Sequence, residues 1–212
     1  MKNYKSKILL LLATFLIAGS AFGQSSRIGA KAGLNMSNMT VEGNNDQNLK
    51  FGLNAGLFGK FMLNETFALQ PELLYSSKGF KNNFDESLIA DGEAKFNLNY
   101  IDIPVKLVYY LAEDFSFQFG PYVGYLLGAN VDTDAEVLDF FNVDSADELK
   151  RDRFNALDYG LIGGLEFELE PLVVGFSYNL GLAKVAADNE PTEEMLGDAK
   201  NTVIRVYAGI LF

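Results

Sequence analysis

Eight stretches of this sequence alternate bulky apolar side chains with polar or small ones, and the connectors between them are in turn short and long. Period-two alternation puts successive side chains on opposite faces of a strand. The strands read near 27–37, 50–62, 66–79, 96–111, 115–130, 155–168, 171–184 and 202–212. Most are long enough to cross a bilayer when tilted, which takes about 9–11 residues, whereas soluble strands average about five or six. Leu63-Asn64-Glu65, Ala112-Glu113-Asp114 and Leu169-Glu170 (with Pro171) make tight turns, while 38–49, 80–95, 131–154 and 185–201 are long polar links. Strict alternation of short and long connectors predicts four hairpins joined at opposite ends of an all-β, eight-stranded antiparallel up-and-down transmembrane barrel. Short turns belong at the periplasmic end and long loops outside. Within the third link, Val137, Leu138, Phe140 and Phe141 point to a short helix or a folded-over strand extension.

The N-terminus specifies the compartment. Lys2, Lys5 and Lys7 precede an apolar run, Ile8–Ala18, and Ser20-Ala21-Phe22-Gly23 supplies small residues for cleavage before Gln24. That is the layout of a secretory signal peptide. The expected division is therefore a signal peptide at 1–23 and one barrel domain at 24–212. No Cys is present to carry a lipid anchor, form a disulfide or hold a cluster. Without the leader's three lysines the chain carries 14 basic residues against 28 acidic, a net charge of −14. A nucleic-acid partner would need a basic surface, so none is expected.

The two faces differ along the whole length. Phe67, Leu69, Pro71, Leu73 and Tyr75 oppose Gln70, Glu72, Ser76 and Lys78. Ile101, Ile103, Val105, Leu107 and Tyr109 oppose Asp102, Pro104, Lys106 and Tyr110. Leu172, Val174, Phe176, Tyr178 and Leu180 oppose Gly175, Ser177, Asn179 and Gly181. A soluble ligand-binding barrel would turn the apolar face inward, a membrane barrel outward. The polar face is too sparse in charge for a water-facing exterior, which is about a quarter to a third Lys, Arg, Asp and Glu. Its members Lys31, Lys60, Glu72, Asp102, Lys106, Asp158, Glu166 and Arg205 are of both signs and interleaved with Gly and Ser. Small residues suit the narrow lumen of an eight-stranded barrel. Lys31, Glu72, Asp102, Lys106, Asp158, Glu166 and Arg205 are therefore expected to form a lumenal polar and charged network, with Lys31, Lys106 and Arg205 neutralising Glu72 and Asp102.

Aromatic residues sort into two tiers. Tyr75, Tyr125, Tyr159 and Tyr178 fall toward the long-loop ends of their strands; Phe61, Phe67, Phe115 and Phe167 cluster with Phe212 at the short-turn ends. Two aromatic girdles at two interfaces are expected of a membrane barrel. In the last strand Ile204, Val206, Ala208, Ile210 and Phe212 should face lipid while Arg205 and Tyr207 point into the lumen, and this strand should pair with the first to remove both edges.

Catalytic chemistry finds little support. With no His or Cys, serine-histidine triads and the usual zinc ligands are missing. The Gly-rich stretches 29–34, 52–59 and 160–165 lack a phosphate-loop Lys-Ser/Thr ending and read as strand glycines. Glu72 and Asp102 read as salt-bridge partners before they read as a catalytic carboxylate pair. Asp132, Asp134 and Glu136 lack the glycine and terminal Glu spacing of a calcium loop. No cofactor or metal is expected, and no enzyme.

Four motifs stand in order: Gly29-Ala30-Lys31-Ala32-Gly33-Leu34-Asn35, Leu69-Gln70-Pro71-Glu72-Leu73-Leu74-Tyr75 with Ser76-Ser77-Lys78-Gly79, Asn99-Tyr100-Ile101-Asp102-Ile103-Pro104, and Gly120-Pro121-Tyr122-Val123-Gly124-Tyr125. Together they resemble the outer-membrane β-barrel domain family of Bacteroidetes, also called porin-family or PorT-like proteins, across essentially the whole mature chain. The resemblance implies an outer-membrane location in a Gram-negative bacterium and insertion by the barrel-assembly machinery, with Phe212 as the aromatic of the assembly signal. The expected protein is a monomer with a plugged lumen, in contact with outer-membrane lipid and lipopolysaccharide. It would act through its extracellular loops as an envelope scaffold with a surface partner, or as an accessory to a secretion system. The alternatives are a narrow porin for small solutes and a soluble periplasmic ligand-binding barrel.

Overall fold

A computed structural model describes residues 26–40, 49–86, 90–133, 151–187 and 197–212. The expected signal peptide and the apolar group Val137, Leu138, Phe140 and Phe141 lie outside the described residues. Eight strands, β1 (Ser26–Thr40), β2 (Lys50–Met62), β3 (Phe67–Glu86), β4 (Ala90–Ala112), β5 (Phe115–Thr133), β6 (Leu157–Leu169), β7 (Leu172–Lys184) and β8 (Lys200–Leu211), pair antiparallel in sequence order. β8 returns to β1 from Gly29↔Leu211 to Thr40↔Lys200 and closes the barrel. Phe212 lies just past the ladder, its N–H donating to the Ile28 carbonyl at 2.8 Å. Among the described residues no helix is long and apolar enough to cross a membrane.

The segment expected as a long link at 80–95 is instead mostly strand. β3 and β4 stay in register from Phe80↔Phe96 to Glu86↔Ala90, and β5 follows β4 as far as Ala94↔Thr133. The residues there, Lys81, Asn82, Asn83, Asp85, Glu86, Asp91, Glu93 and Lys95, are polar at both parities. A ladder polar at both parities has no apolar face to produce an alternation signal. Strands β3 to β5 consequently run well beyond their neighbours on the long-link side.

Pro71, Pro104 and Pro121 lie on adjacent strands, offset by one position from strand to strand. The β2–β3 ladder skips beside Pro71, β3–β4 beside Pro104, and β4–β5 beside Pro121. Each proline lacks the N–H that a ladder bond needs.

The sheet is apolar outside and polar inside. Outward residues such as Phe51, Leu53, Leu57, Leu107, Phe119, Val123, Leu161, Phe176 and Val206 are exposed around the whole circumference. Inward positions hold Lys31, Lys60, Gln70, Glu72, Asp102, Lys106, Gln118, Asp158, Glu166 and Arg205, all buried. In water that exterior would be an apolar patch far beyond what soluble monomers carry; in a bilayer it is the lipid-facing surface. Interior glycines make room for large neighbours. A Cβ on Gly175 would lie 2.3 Å from the Tyr207 ring. Gly79 adopts φ +138°, a conformation that side-chain-bearing residues rarely take.

Candidate functional site

The interior is built in layers. At the short-turn end, Lys60 on β2 donates across the barrel to Glu166 (2.8 Å) and Glu168 (2.5 Å) on β6. Glu168 also accepts from Tyr110 at 2.7 Å and pairs with Arg27 at 3.3 Å, and Arg27 reaches Glu170 on the rim. Tyr207 donates to the other oxygen of Glu166 at 2.7 Å. Above this, Glu72 takes Lys31 and Lys106 on a single oxygen, each at 2.6 Å, with Gln70 donating to the same oxygen at 2.8 Å. Lys106 also donates to Gln118, and the Lys31 ammonium lies 4.3 Å from the Tyr207 ring centroid.

The next layer is centred on Lys78, which donates to Asp102 at 2.8 Å and to Asp158 at 2.9 Å, its ammonium flanked by the Tyr100 and Tyr122 rings. Arg205 joins Asp102 and donates to Ser76 at 3.1 Å. Asn201 donates to Asp158 at 3.1 Å. Asn35 connects Asn54 (2.8 Å), Ser76 (3.0 Å) and the Ser77 carbonyl (2.9 Å). In a low-dielectric interior a charge is tolerable only when paired and hydrogen-bonded. Each of the seven charged residues expected in the lumen has at least one ion-pair partner of opposite sign.

Those seven residues do not form one contact group. Lys31 and Lys106 neutralise Glu72, Arg205 neutralises Asp102, and the connections to Glu166 and Asp158 run through Lys60 and Lys78. Lys60 and Lys78 are thus the cross-links that sequence reasoning left out of the network, although their inward parity was legible. Glu168 is a third such residue, next to last in its strand.

A different material closes the long-link end. Met39, Phe80, Phe96, Leu98, Tyr100, Leu126, Phe154, Val185, Ala186 and Ala199 form a buried apolar cluster inside the barrel mouth, with Phe80 and Phe96 stacked at 4.4 Å. It includes the bridge Phe154↔Ala186, above which the chain turns through a short 3₁₀ segment, Arg151–Arg153. A lumen of small and polar residues had been expected; this end is apolar and aromatic. The inward parity of Phe80, Phe96 and Leu98 continues that of Lys78 and Asp102 and was the available signal.

The outward aromatics are arranged less simply than two tiers. Phe67 stacks on Tyr109 at 5.1 Å and Phe115 on Phe167 at 4.5 Å, both beside short turns, and Phe61 pairs opposite Ser26. Tyr75, Tyr125, Tyr159 and Tyr178 all point outward and are exposed. Tyr159 stands near the long-link end of β6, but Tyr178 lies halfway along β7, and β3 and β5 continue past Tyr75 and Tyr125 to Glu86 and Thr133. The strand extensions account for that difference on β3 and β5, whose ends lie farther from Tyr75 and Tyr125 than the polar sequence indicated.

Among the described residues no group of three or more His, Cys, Asp or Glu has a metal-holding arrangement. The side chains of Asp132, Asp134 and Glu136 lie outside the described ones.

The sequence profile of the family described as "Outer membrane protein beta-barrel domain" matches residues 22–187. Similar solved structures include Ail, the attachment invasion locus protein of Yersinia pestis (17% identity, 89% of this chain and 100% of that one, TM-score 0.45). Neisserial surface protein A is 14% identical over 88% of this chain and 97% of that one, with a TM-score of 0.47. OprG from Pseudomonas aeruginosa is 16% identical over 89% and 97%, with a TM-score of 0.44. No curated protein sequence matches significantly. With its apolar wall turned outward, its charges paired inside and most of its length matched by that profile, this chain is a small outer-membrane protein of the cell envelope and belongs to the outer membrane protein β-barrel domain family.

Proposed function

We propose that this barrel has a plugged lumen and acts, as a non-enzymatic monomer, through the surface it presents at its long-link end. The observation that carries this reading is the closed interior: charged residues tied across the barrel in successive layers, under an apolar cap. A conducting channel would need those ties undone at every level, and eight strands leave an interior that side chains nearly fill. The work then falls to the long links and to the extension of β3, β4 and β5, serving as an envelope scaffold with a surface partner or as a secretion accessory. The resemblance to Bacteroidetes porin-family and PorT-like barrels belongs to the same reading. So do export through a leader at 1–23, insertion of 24–212 by the barrel-assembly machinery and the two aromatic girdles. Planar-bilayer recording of the folded protein tests it: no stable conductance is expected, and large, steady single-channel currents would refute the plugged lumen.

A narrow porin for small solutes is the second reading. It is favoured by buried polar atoms with no protein partner, among them Gln118 Nε2, Gln70 Oε1, both side-chain atoms of Asn179, and Arg205 Nε and Nη1. Buried polar groups without protein partners are places for ordered water. Swelling of proteoliposomes in small neutral solutes, without ionic conductance, would favour this reading over the first.

A further inference from the structure

The skips beside Pro71, Pro104 and Pro121 fall at one height of the barrel, and the register identifies the bond lost at each. Continued across the skips, the pairing sets Gly59 opposite Pro71, Glu72 opposite Pro104 and Val105 opposite Pro121. The pairs on the near side of each skip, Phe58↔Glu72, Pro71↔Val105 and Pro104↔Tyr122, are intact. An antiparallel pair exchanges two bonds, and a proline can accept one but cannot donate the other. The carbonyls of Gly59, Glu72 and Val105 therefore receive nothing from the strand they face. Glu72 follows Pro71 and Val105 follows Pro104 in the chain, so the three carbonyls form one row across β2, β3 and β4. The remaining ladders run unbroken over the same height.

The row lies in the lipid-facing belt. Pro71 stands midway between Phe67 and Tyr75 on β3, and the outward neighbours Leu73, Ile103, Val105, Phe119 and Val123 are exposed. Backbone polar groups at that depth are costly unless something inside the protein satisfies them. The inner face at this level carries unmet polar groups of its own. Gln70 and Glu72 flank Pro71, and Gln118 is the inward residue before Gly120. Gln70 Oε1, Glu72 Oε2 and Gln118 Nε2 are buried without a protein partner, although the other Glu72 oxygen takes Lys31, Lys106 and Gln70. A Cβ on Gly120 would lie 2.0 Å from the Val105 carbonyl oxygen, so that oxygen is reached from the interior past a residue with no side chain. Backbone and side-chain groups in need of a partner thus converge on one patch of wall. Acceptors predominate there, and the ammonium groups of Lys31 and Lys106 repel a metal cation. A small neutral donor with several polar neighbours fits, which is water.

We infer that the Pro71–Pro104–Pro121 row is a hydrated seam: ordered waters, held from the lumen side by Gln70, Glu72 and Gln118, bond the carbonyls of Gly59, Glu72 and Val105. The β2–β5 wall yields along this line, while β6, β7, β8 and β1 stay stiff. All three prolines lie on the strands that continue beyond their neighbours, so the seam crosses the foot of the β3–β5 extension. Waters held singly at three carbonyls carry no current, and the inference goes beyond the plugged-lumen reading without depending on it.

The test is amide exchange and water-to-amide cross-relaxation, measured by NMR on the protein folded in deuterated detergent micelles. The N–H groups of Gly59, Glu72 and Val105 hold the single bond left at each broken pair. They are expected to exchange at least about tenfold faster than mid-strand amides of β6, β7 and β8, and to show water cross-peaks. Pro104→Ala returns a donor to the Glu72 carbonyl. It should slow exchange at Glu72 by about tenfold and remove its cross-peak, leaving Gly59 unchanged and heat-modifiable migration retained. Exchange at the three positions as slow as in β6–β8, or no water cross-peak at any of them, would overturn the inference whatever the variant does. Water cross-peaks spread evenly over all eight strands would overturn it too, and would mark an open lumen, whereas a dry, slowly exchanging seam would leave the plugged lumen standing.

Discussion

Glu72 is the most exacting position at which to test the interior. Both Lys31 and Lys106 lie 2.6 Å from the same carboxylate oxygen, so their ammonium groups are within about 5 Å of each other. Replacing Glu72 by Gln keeps the shape and removes the one negative charge between them. At an effective dielectric constant of about 20, two like charges about 5 Å apart repel by roughly 3 kcal/mol. Breaking a buried pair by deleting one partner costs about 3–5 kcal/mol, so the two estimates agree. Stability of a domain is about 5–15 kcal/mol, so the loss would be plain in a urea titration. The chain has no Trp, so folding into phospholipid vesicles is best followed by heat-modifiable gel migration. Lys31→Met in the Glu72→Gln background should recover roughly 2 kcal/mol, since one of the stranded cations is gone. A Glu72→Gln loss below about 1 kcal/mol with no coupling to Lys31 would refute the reasoning: the interior would then be wet enough to screen its charges, and the plugged lumen would fall with it.

Three further perturbations follow from the same geometry. Gly175→Val should push the Tyr207 ring off its seat and break its bond to Glu166, costing about 1–3 kcal/mol from overpacking; an unchanged urea midpoint would mean the ring has room to move. Phe96→Ala removes one half of the Phe80–Phe96 stack and should cost about 3–5 kcal/mol, raising protease cleavage of the long-link end in intact cells while the outer-membrane fraction stays folded. Deleting Phe212 should lower the yield of heat-modifiable protein in the outer membrane while leaving unassisted folding into detergent nearly intact. Equal losses in both would assign Phe212 to stability rather than to the assembly signal.

Strand number, face assignment and hairpin order were legible because they depend on period and turn chemistry, both local. Leu180, Tyr178 and Phe176 read as outward from their parity alone, and they are. Depth was harder, since parity says which face a residue takes and nothing about the level at which it meets a residue across the barrel. Arg205 and Asp102 are 103 positions apart, and Lys60 and Glu166 are 106; only the closure register brings either pair together. The β3–β4 extension was hidden for another reason. Lys81-Asn82-Asn83 and Asp91-Gly92-Glu93 carry loop chemistry, and a strand above the membrane has no lipid face to impose alternation. The apolar cap was obscured by the opposite effect, because Phe80, Phe96 and Leu98 occupy the parity that also holds the barrel's buried charged and amide groups.

The pairing of charges inside has an outward consequence. Among the described residues six buried cations, Lys31, Lys50, Lys60, Lys78, Lys106 and Arg205, stand against five buried anions, Glu72, Asp102, Asp158, Glu166 and Glu168. The cylinder is therefore close to electrically neutral, and the chain's charge of −11 resides almost wholly in its ends and links. Neighbouring copies in a crowded leaflet would present this negative charge to one another and stay apart.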